Sequence, residues 1–286
     1  MKSQSAMEYL MTYGWAILVI AVVLAALYSL GIFNPNTFAP KASAGSCEVV
    51  RPFGPTTTTD VHLEGTCTNM LPKYVATFNG KSYVNLSNPQ SLQFNPGQSF
   101  TFSAWVKTNG CQNGPFIGHG MKSYIFAANW EPPNCVFVGE WWGSSTDIQG
   151  TWGGPSIPEN RWIYLTVVNN VGNNFTFYVD GSEKFEQGWG VTYTYSNVIS
   201  IGSNSDPKYF FSGSISNIQI YNKSLSANQI SALYQEGIGG DPIELTHLVG
   251  WWPLNGNADD YSGNKYNGKE YNVGYSSTWY RTYSAP

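Results

Sequence analysis

Two short stretches of this chain carry side chains whose types and spacing could do chemistry. The first is EWWGSSTDIQGTWGG, residues 140–154, where Trp141, Trp142 and Trp152 share one loop-rich run with Asp147 and Gln149. A sugar is held by aromatic faces that stack on its C–H face and by amides or carboxylates that meet its hydroxyls. Strand alternation turns one of the adjacent Trp141 and Trp142 inward, and any single tryptophan in such a chain also serves as core filling. The second stretch, Asp259-Asp260-Tyr261-Ser262-Gly263-Asn264, packs oxygen donors into a tight turn. Asp259, Asp260, Ser262 and Asn264 are candidate ligands for a structural Ca²⁺. The alternative is an Asx-rich turn whose side chains satisfy its own backbone.

Catalytic chemistry has little to stand on. His62, His119 and His247 have no Ser or Cys partner in a recognisable motif, and H-E-x-x-H is missing. Glycosidic cleavage needs two carboxylates aimed at one bond. Glu140 stands alone on its strand, and nothing in the order of residues joins it to Glu131. The expectation is a protein that is not an enzyme. A net charge near −4 with scattered Lys and Arg also excludes nucleic acid as a partner, which calls for a basic face.

The elements that must position these residues are short strands. Aromatics make up 16% of the chain and charged residues 11%, with 30 glycines, a composition suited to many strands joined by tight turns. In SFTFSAWVKT, Phe100, Phe102, Ala104 and Val106 alternate with Thr101, Ser103 and Lys107, which predicts a strand with one wet face. Asp180-Gly181 predicts a hairpin turn with positive φ. Ser226 and Gln229 form a capping box opening a short helix that Gly237 ends. The cysteines fall into local pairs, Cys47 with Cys67 and Cys111 with Cys135, expected as disulfides of an exterior protein. Four cysteines also allow two other pairings. Asn85, Asn174 and Asn222 begin N-x-S/T sequons, as glycoproteins of the exterior do. Residues 46–73 read as a disulfide-stapled β collar, and residues 34–45 as a hinge before it.

Ahead of the hinge, Leu10 to Phe33 holds no charge, and Pro35 ends the run. About 24 residues at about 1.5 Å each make a helix long enough for a bilayer core of about 30 Å. Glu8 stands at its mouth, costly there without a cationic partner. Gln4-Ser5-Ala6-Met7-Glu8-Tyr9 in this setting resembles the class III signal of archaeal type IV pilins. That resemblance implies a leader of residues 1–3, removed by a prepilin peptidase between Ser3 and Gln4. It implies a core helix over 4–33 and a pairing of Glu8 with the new α-amino group of a neighbouring subunit. The family usually has Gly before the cut and more basic residues upstream; here stand Ser3 and a single Lys2. An uncut membrane anchor and a secretory signal cut after Ala42-Ser43-Ala44 are the alternatives. All three leave Lys2 inside and the rest of the chain outside.

A second resemblance lies further on. FTFSAWVKT, WIYLTVVNN, FTFYVDGSEKF and FSGSISNIQIYNKSLSANQISALYQ, in this order, resemble a laminin-G-like, concanavalin A-like domain over Tyr74 to about Gly237. LVGWWPLNGNADDYSGNKYNG, residues 248–268, is similar to the beginning of that family, displaced to the end. Either a second domain begins there and is cut short, or the domain is circularly permuted. The favoured reading is a mainly β fold: one long apolar helix followed by a circularly permuted jelly-roll sandwich over 74–286, its first strand supplied by 245–275. The function expected is a subunit of an archaeal pilus-like surface filament. Subunits would polymerise through the helix with the help of a membrane assembly platform. The lectin-like head would face outward to meet a glycan or other cell-surface ligand. A surface glycan-binding protein that never polymerises is the competing reading, and an extracellular carbohydrate-active enzyme the third.

Overall fold

The computed structural model describes residues 4–29, 39–68, 70–86, 89–94, 97–110, 114–118, 124–131, 134–142, 148–150, 154–170, 174–188, 199–204 and 209–286. Within these, side chains are left aside at 4–12, 124–125, 128–134, 138–142, 148–150, 174 and 187–188. Two units are compact in themselves, Met1–Ala39 and Pro40–Pro286.

The first unit holds α1, Gln4–Ser29. From Tyr13 to Ser29 apolar side chains point to every side, and Trp15, Ile17, Leu18, Ile20 and Val22 are all exposed along it. The expected span to Phe33 runs past Ser29 into residues outside the described set. Among the described residues no helix is long and apolar enough to cross a membrane. The portion with described side chains, Tyr13 to Ser29, measures about 25 Å at 1.5 Å per residue.

The second unit opens with β1 (Lys41–Ala42), β2 (Cys47–Val50), β3 (His62–Gly65) and β4 (Leu71–Pro72). β2 and β3 pair antiparallel, and the Cys47–Cys67 disulfide closes the end of this hairpin. Then come β5 (Val75–Asn79), β6 (Tyr83–Asn85), β7 (Phe100–Thr108), β8 (Gly114–Gly118), β9 (Tyr124–Glu131) and β10 (Asn134–Trp142). β11 (Ile148–Gly150), β12 (Ile163–Asn170), β13 (Asn174–Val179), β14 (Ser182–Gly188), β15 (Ser200–Ile201) and β16 (Ser212–Tyr221) follow. After α2 (Ala227–Gln235) the chain ends with β17 (Leu248–Trp252), β18 (Lys269–Tyr271) and β19 (Gly274–Ser276). Asp180 and Gly181 both hold positive φ at the β13–β14 turn. Ser226 and Gln229 cap α2 reciprocally.

One sheet runs β14-β13-β12-β7-β16-β5-β19, the other β11-β10-β9-β8-β15-β6-β18. Phe100, Phe102, Phe126, Phe137, Phe175 and Phe177 interlock between them. The last strands enter both sheets. β5 pairs with Ser212–Ile215 at the start of β16, and β17 continues the same edge by pairing with Ile218–Tyr221. β18 pairs with β6 and β19 with β5. Trp252 and Leu254, at 0% exposure, sit in the inter-sheet core, so the C-terminal segment is part of the sandwich.

The wet face expected on β7 is dry. Thr101, Ser103 and Trp105 are as buried as the core-facing residues between them. A second apolar layer covers them: Ile230 and Leu233 of α2, Ile238, Trp251, Trp279 and Tyr283 pack there with Trp105 and Tyr164. Period two correctly separated the two faces, but alternation alone does not reveal that later segments fold back over the polar one.

Candidate functional site

The Asp260 turn is knotted onto itself. Asp260 is buried; Trp251 N–H (3.0 Å) and Ser262 N–H (2.9 Å) donate to Oδ1, while Ser262 Oγ–H and Tyr266 N–H (both 2.9 Å) donate to Oδ2. Asn264 Nδ2 donates to the Val249 carbonyl, and Asn264 Oδ1 accepts from Thr56 N–H. Asp259 accepts from Asn257 Nδ2. Burial pushes the Asp260 carboxyl up, by more than the surrounding donors pull it back down. Within the turn the Asp260 carboxylate is engaged by protein donors. Both Asp260 oxygens already face two donors, and hydrogens occupy the directions from which a cation would approach. The arrangement is that of an Asx turn that locks β17 to the loop after it.

Arg51, which carried no role in the sequence reading, closes the other side of the turn. Its guanidinium donates from Nε to the Ser262 carbonyl (2.9 Å) and from Nη2 to those of Leu245 (3.0 Å) and Leu248 (2.8 Å). Nη1 donates to the Thr57 carbonyl. One buried cation therefore ties the collar to the C-terminal segment, beside the Asp260 charge that opposes its loss of hydration.

The disulfides divide likewise. Cys135 is disulfide-bonded, and its expected partner Cys111 lies outside the described residues. Among the described residues, Cys47, Cys67 and Asp241 come within 4.8 Å of one another, but a disulfide offers no thiolate to a metal. The cavity they border, with Trp251, Asn217 and Tyr261, holds about 50 Å³, room for a water or two and not for a sugar ring.

Of the expected sugar platform, Asp147 and Trp152 lie outside the described residues. Trp141 pairs with Gln149 across β10 and β11, and Trp142 with Ile148. Ser3 is likewise outside, while Gln4 and Glu8 are described only as backbone of α1. Among the sequons, Asn222 is exposed, with Oδ1 against His247 Nδ1 at 3.0 Å. Asn85 lies half-buried on β6, and Asn174 begins β13.

A different aromatic platform is fully on view. Val84 points into the core, which turns Tyr83 and Asn85 to the outer face of their sheet. Across the ladder β18, an edge strand, sets Tyr271 against Tyr83 and Lys269 against Asn85. The two tyrosine rings stack at 4.5 Å and 9°. Phe210 approaches Tyr83 at 6.2 Å, and Lys269 Nζ caps the Tyr271 ring at 5.3 Å. Tyr209, beside them, is 43% exposed. The faces of Tyr83 and Tyr271 are partly spent on one another and on Lys269. The row therefore offers ring edges and half-covered faces for apolar contact, with an amide and an ammonium beside them for hydrogen bonds. The signal was present in the alternation of Tyr83-Val84-Asn85; what was missing was the strand that would bring Tyr271 alongside.

Two antiparallel sheets closed face to face over an aromatic core define a β-sandwich of the concanavalin A type. The chain belongs to the concanavalin A-like lectin/glucanases superfamily, whose family model matches residues 78–231, just over half of it. No curated protein matches the sequence. Among solved structures, a candidate carbohydrate binding protein from Bacteroides ovatus is similar in fold, with a TM-score of 0.55 and 15% identity over 79% of this chain and 68% of that one. The heptameric SAP-like pentraxin of Limulus polyphemus aligns at 0.45 and 16% identity over 58% of this chain and 83% of its own. Domain 4 of AbnA, an extracellular arabinanase from Geobacillus stearothermophilus solved with arabinotriose, aligns at 0.45 and 23% identity, over 56% of this chain and 76% of that one.

Proposed function

We propose that this protein is a surface glycan-binding protein whose sandwich recognises sugars and does not cleave them. The observation that carries the reading is the half-exposed row Tyr271–Tyr83–Phe210, with Asn85 and Lys269 at its edge. The family is one of lectins and glucanases, and the Cys47–Cys67 disulfide suits an oxidising exterior. The test is isothermal titration of a neutral and acidic oligosaccharide set against the chain and against its Tyr83→Ala, Tyr271→Ala form. Losing two stacking faces at about 1 kcal/mol each should weaken binding by about tenfold or more. Binding unaltered by that change, or oligosaccharides recovered shortened, overturns the reading.

A second reading concerns how the head is carried, and α1 favours it. A helix apolar on all sides is stable in water only when something covers it. With the Gln4-to-Tyr9 motif, this supports a pilin-like subunit cut between Ser3 and Gln4, whose helices bundle into a surface filament. The sandwich is then a permuted one, β17 filling the position that α1 and the collar displaced. Mass spectrometry of the native N-terminus decides the matter. A chain beginning at Gln4 supports the filament; an intact Met1 replaces it with a single anchored molecule.

A further inference from the structure

The end of the sandwich where β7 begins holds a second concavity, of about 590 Å³. Gln90, Ser91, Gln93, Gln98, Ser99 and Asn222 line it, with Phe94 below them. Four of these side chains are amides and two are hydroxyls, and among the described residues no formal charge lines the wall. We infer that this groove is a binding site for a neutral polyhydroxylated ligand, a chain of uncharged sugar units. The inference rests on the glycan-binding reading and adds to it a second site of stated chemistry.

An amide carries two N–H donors beside a carbonyl acceptor, and a hydroxyl is both donor and acceptor. With Asn222 Oδ1 held by His247 Nδ1 and Ser91 Oγ–H by Tyr266, Asn222 offers its donors here and Ser91 its acceptor. A vicinal diol asks for that pairing, since every sugar hydroxyl both gives and takes a hydrogen bond. A carboxylate or sulfate would find only amide and hydroxyl donors, with no cation in the lining to offset its desolvation. The Tyr83–Tyr271 row, by contrast, carries Lys269.

The wall is built before any ligand arrives. Asn169, at 0% exposure, donates from Nδ2 to the Gln98 carbonyl at 2.7 Å, and Ser224 Oγ–H donates to the Asn169 carbonyl at 2.7 Å. Thr101 Oγ–H donates to the Lys223 carbonyl at 2.7 Å and accepts from Leu225 N–H at 2.9 Å. Ser91 Oγ–H reaches Tyr266 Oη at 2.6 Å, and Asn222 N–H donates to the His247 carbonyl at 2.9 Å. Buried groups thus fix the backbone while Gln90, Gln98 and Asn222 stay exposed above it. That division, a fixed frame with polar side chains facing out, is what keeps the ordering cost of binding low. Asn222 also begins a sequon, so a glycan attached there and a glycan bound here exclude each other.

The experiment titrates the full chain in a zwitterionic detergent that has no sugar headgroup, with Asn222 shown by mass to be unmodified. The probes are gluco-, manno-, galacto- and xylo-oligosaccharides, with oligogalacturonate as the charged comparison. At least one neutral series should bind with a Kd unchanged by salt, because no ion pair is there to be screened. Gln90→Ala with Gln98→Ala should raise that Kd by about tenfold, two hydrogen bonds having gone, and leave thermal unfolding in place. Tyr83→Ala in parallel assigns binding to one site or the other. If the neutral ligand keeps its Kd in the glutamine variant and loses it in the tyrosine variant, the groove is not a site, although the protein still binds glycans. If oligogalacturonate is preferred and salt abolishes its binding, the proposed ligand class is wrong. If no series binds, the glycan-binding reading falls, and this inference with it.

Discussion

Replacing Asp260 with asparagine keeps the shape of the side chain and removes the charge on which the C-terminal turn is built. The new amide nitrogen must take the place of one carboxylate oxygen. At Oδ1 it would confront two fixed donors, the N–H groups of Trp251 and Ser262. At Oδ2 it confronts one, Tyr266 N–H, because the Ser262 hydroxyl can turn round and accept. The second placement costs less and sets the magnitude. One N–H loses its acceptor, at about 1–3 kcal/mol, and the surviving bonds fall from charge-assisted to neutral strength. Against this stands the burial cost of the charge, which the amide relieves. Arg51 also loses its neighbouring charge, though its four carbonyl acceptors remain. The expected loss is about 2 kcal/mol, a fall in Tm of about 4–8 °C for a domain of this size. Urea unfolding followed by tryptophan fluorescence reads it directly, with Trp251 and Trp252 next to the turn. A variant within about 1 kcal/mol of the parent refutes the reasoning, since the four bonds would then carry little of the turn's stability. So does a parent chain that calcium stabilises and a chelator weakens, because the carboxylate would then be serving a cation.

Trp252→Ala removes a side chain at 0% exposure whose Nε1–H donates to the Tyr266 carbonyl at 3.0 Å. The same unfolding curves should show a loss of about 3–5 kcal/mol, as for a large aromatic taken from a packed core. A loss under about 1 kcal/mol would mean that β17 is not integral to the sandwich. Asp241 is raised from 3.8 to about 6, by burial first and by Glu236 second. The folded chain thus holds a proton that the unfolded chain has released. Its contribution favours the fold below the unfolded value and is lost as pH rises through about 6. With roughly half of the carboxyl wet, the effect is screened to about 1 kcal/mol. Thermal melts of Asp241→Asn should therefore match the parent near pH 4 and exceed it near pH 7; an equal gap at both ends counts against the carboxyl as the cause.

Local chemistry made some elements legible and left others hidden. Asp180-Gly181, the Ser226–Gln229 cap and the alternation of β7 announce themselves because their causes lie within a few residues. The tryptophans of residues 248–268 announced a strand but not its neighbours, which are β16 and the turn that Arg51 closes. Asp260 was legible as a hub of hydrogen bonds, yet the choice between a cation and backbone donors hung on where Trp251 N–H and Tyr266 N–H point. The Tyr83–Tyr271 stack joins residues far apart in sequence through a three-residue ladder, too short to carry a pattern of its own. The second layer over Trp105 stayed hidden for the same reason: Ile230, Trp251, Trp279 and Tyr283 each read as ordinary apolar residues until the chain brings them together.

The half of β16 that β17 completes has a bearing on how the molecule is made. With β7 on one side, Ile218 to Tyr221 find their partner on the other side in Leu248 to Trp252, so that seam shuts only once the later segment has come back to it. Until then that flank of β16 keeps its N–H and C=O groups unpaired, an open strand edge on which another strand could add. Arrival of β17 works like a closing stitch: the segment that completes the sheet is also the one that shields this edge from foreign strands.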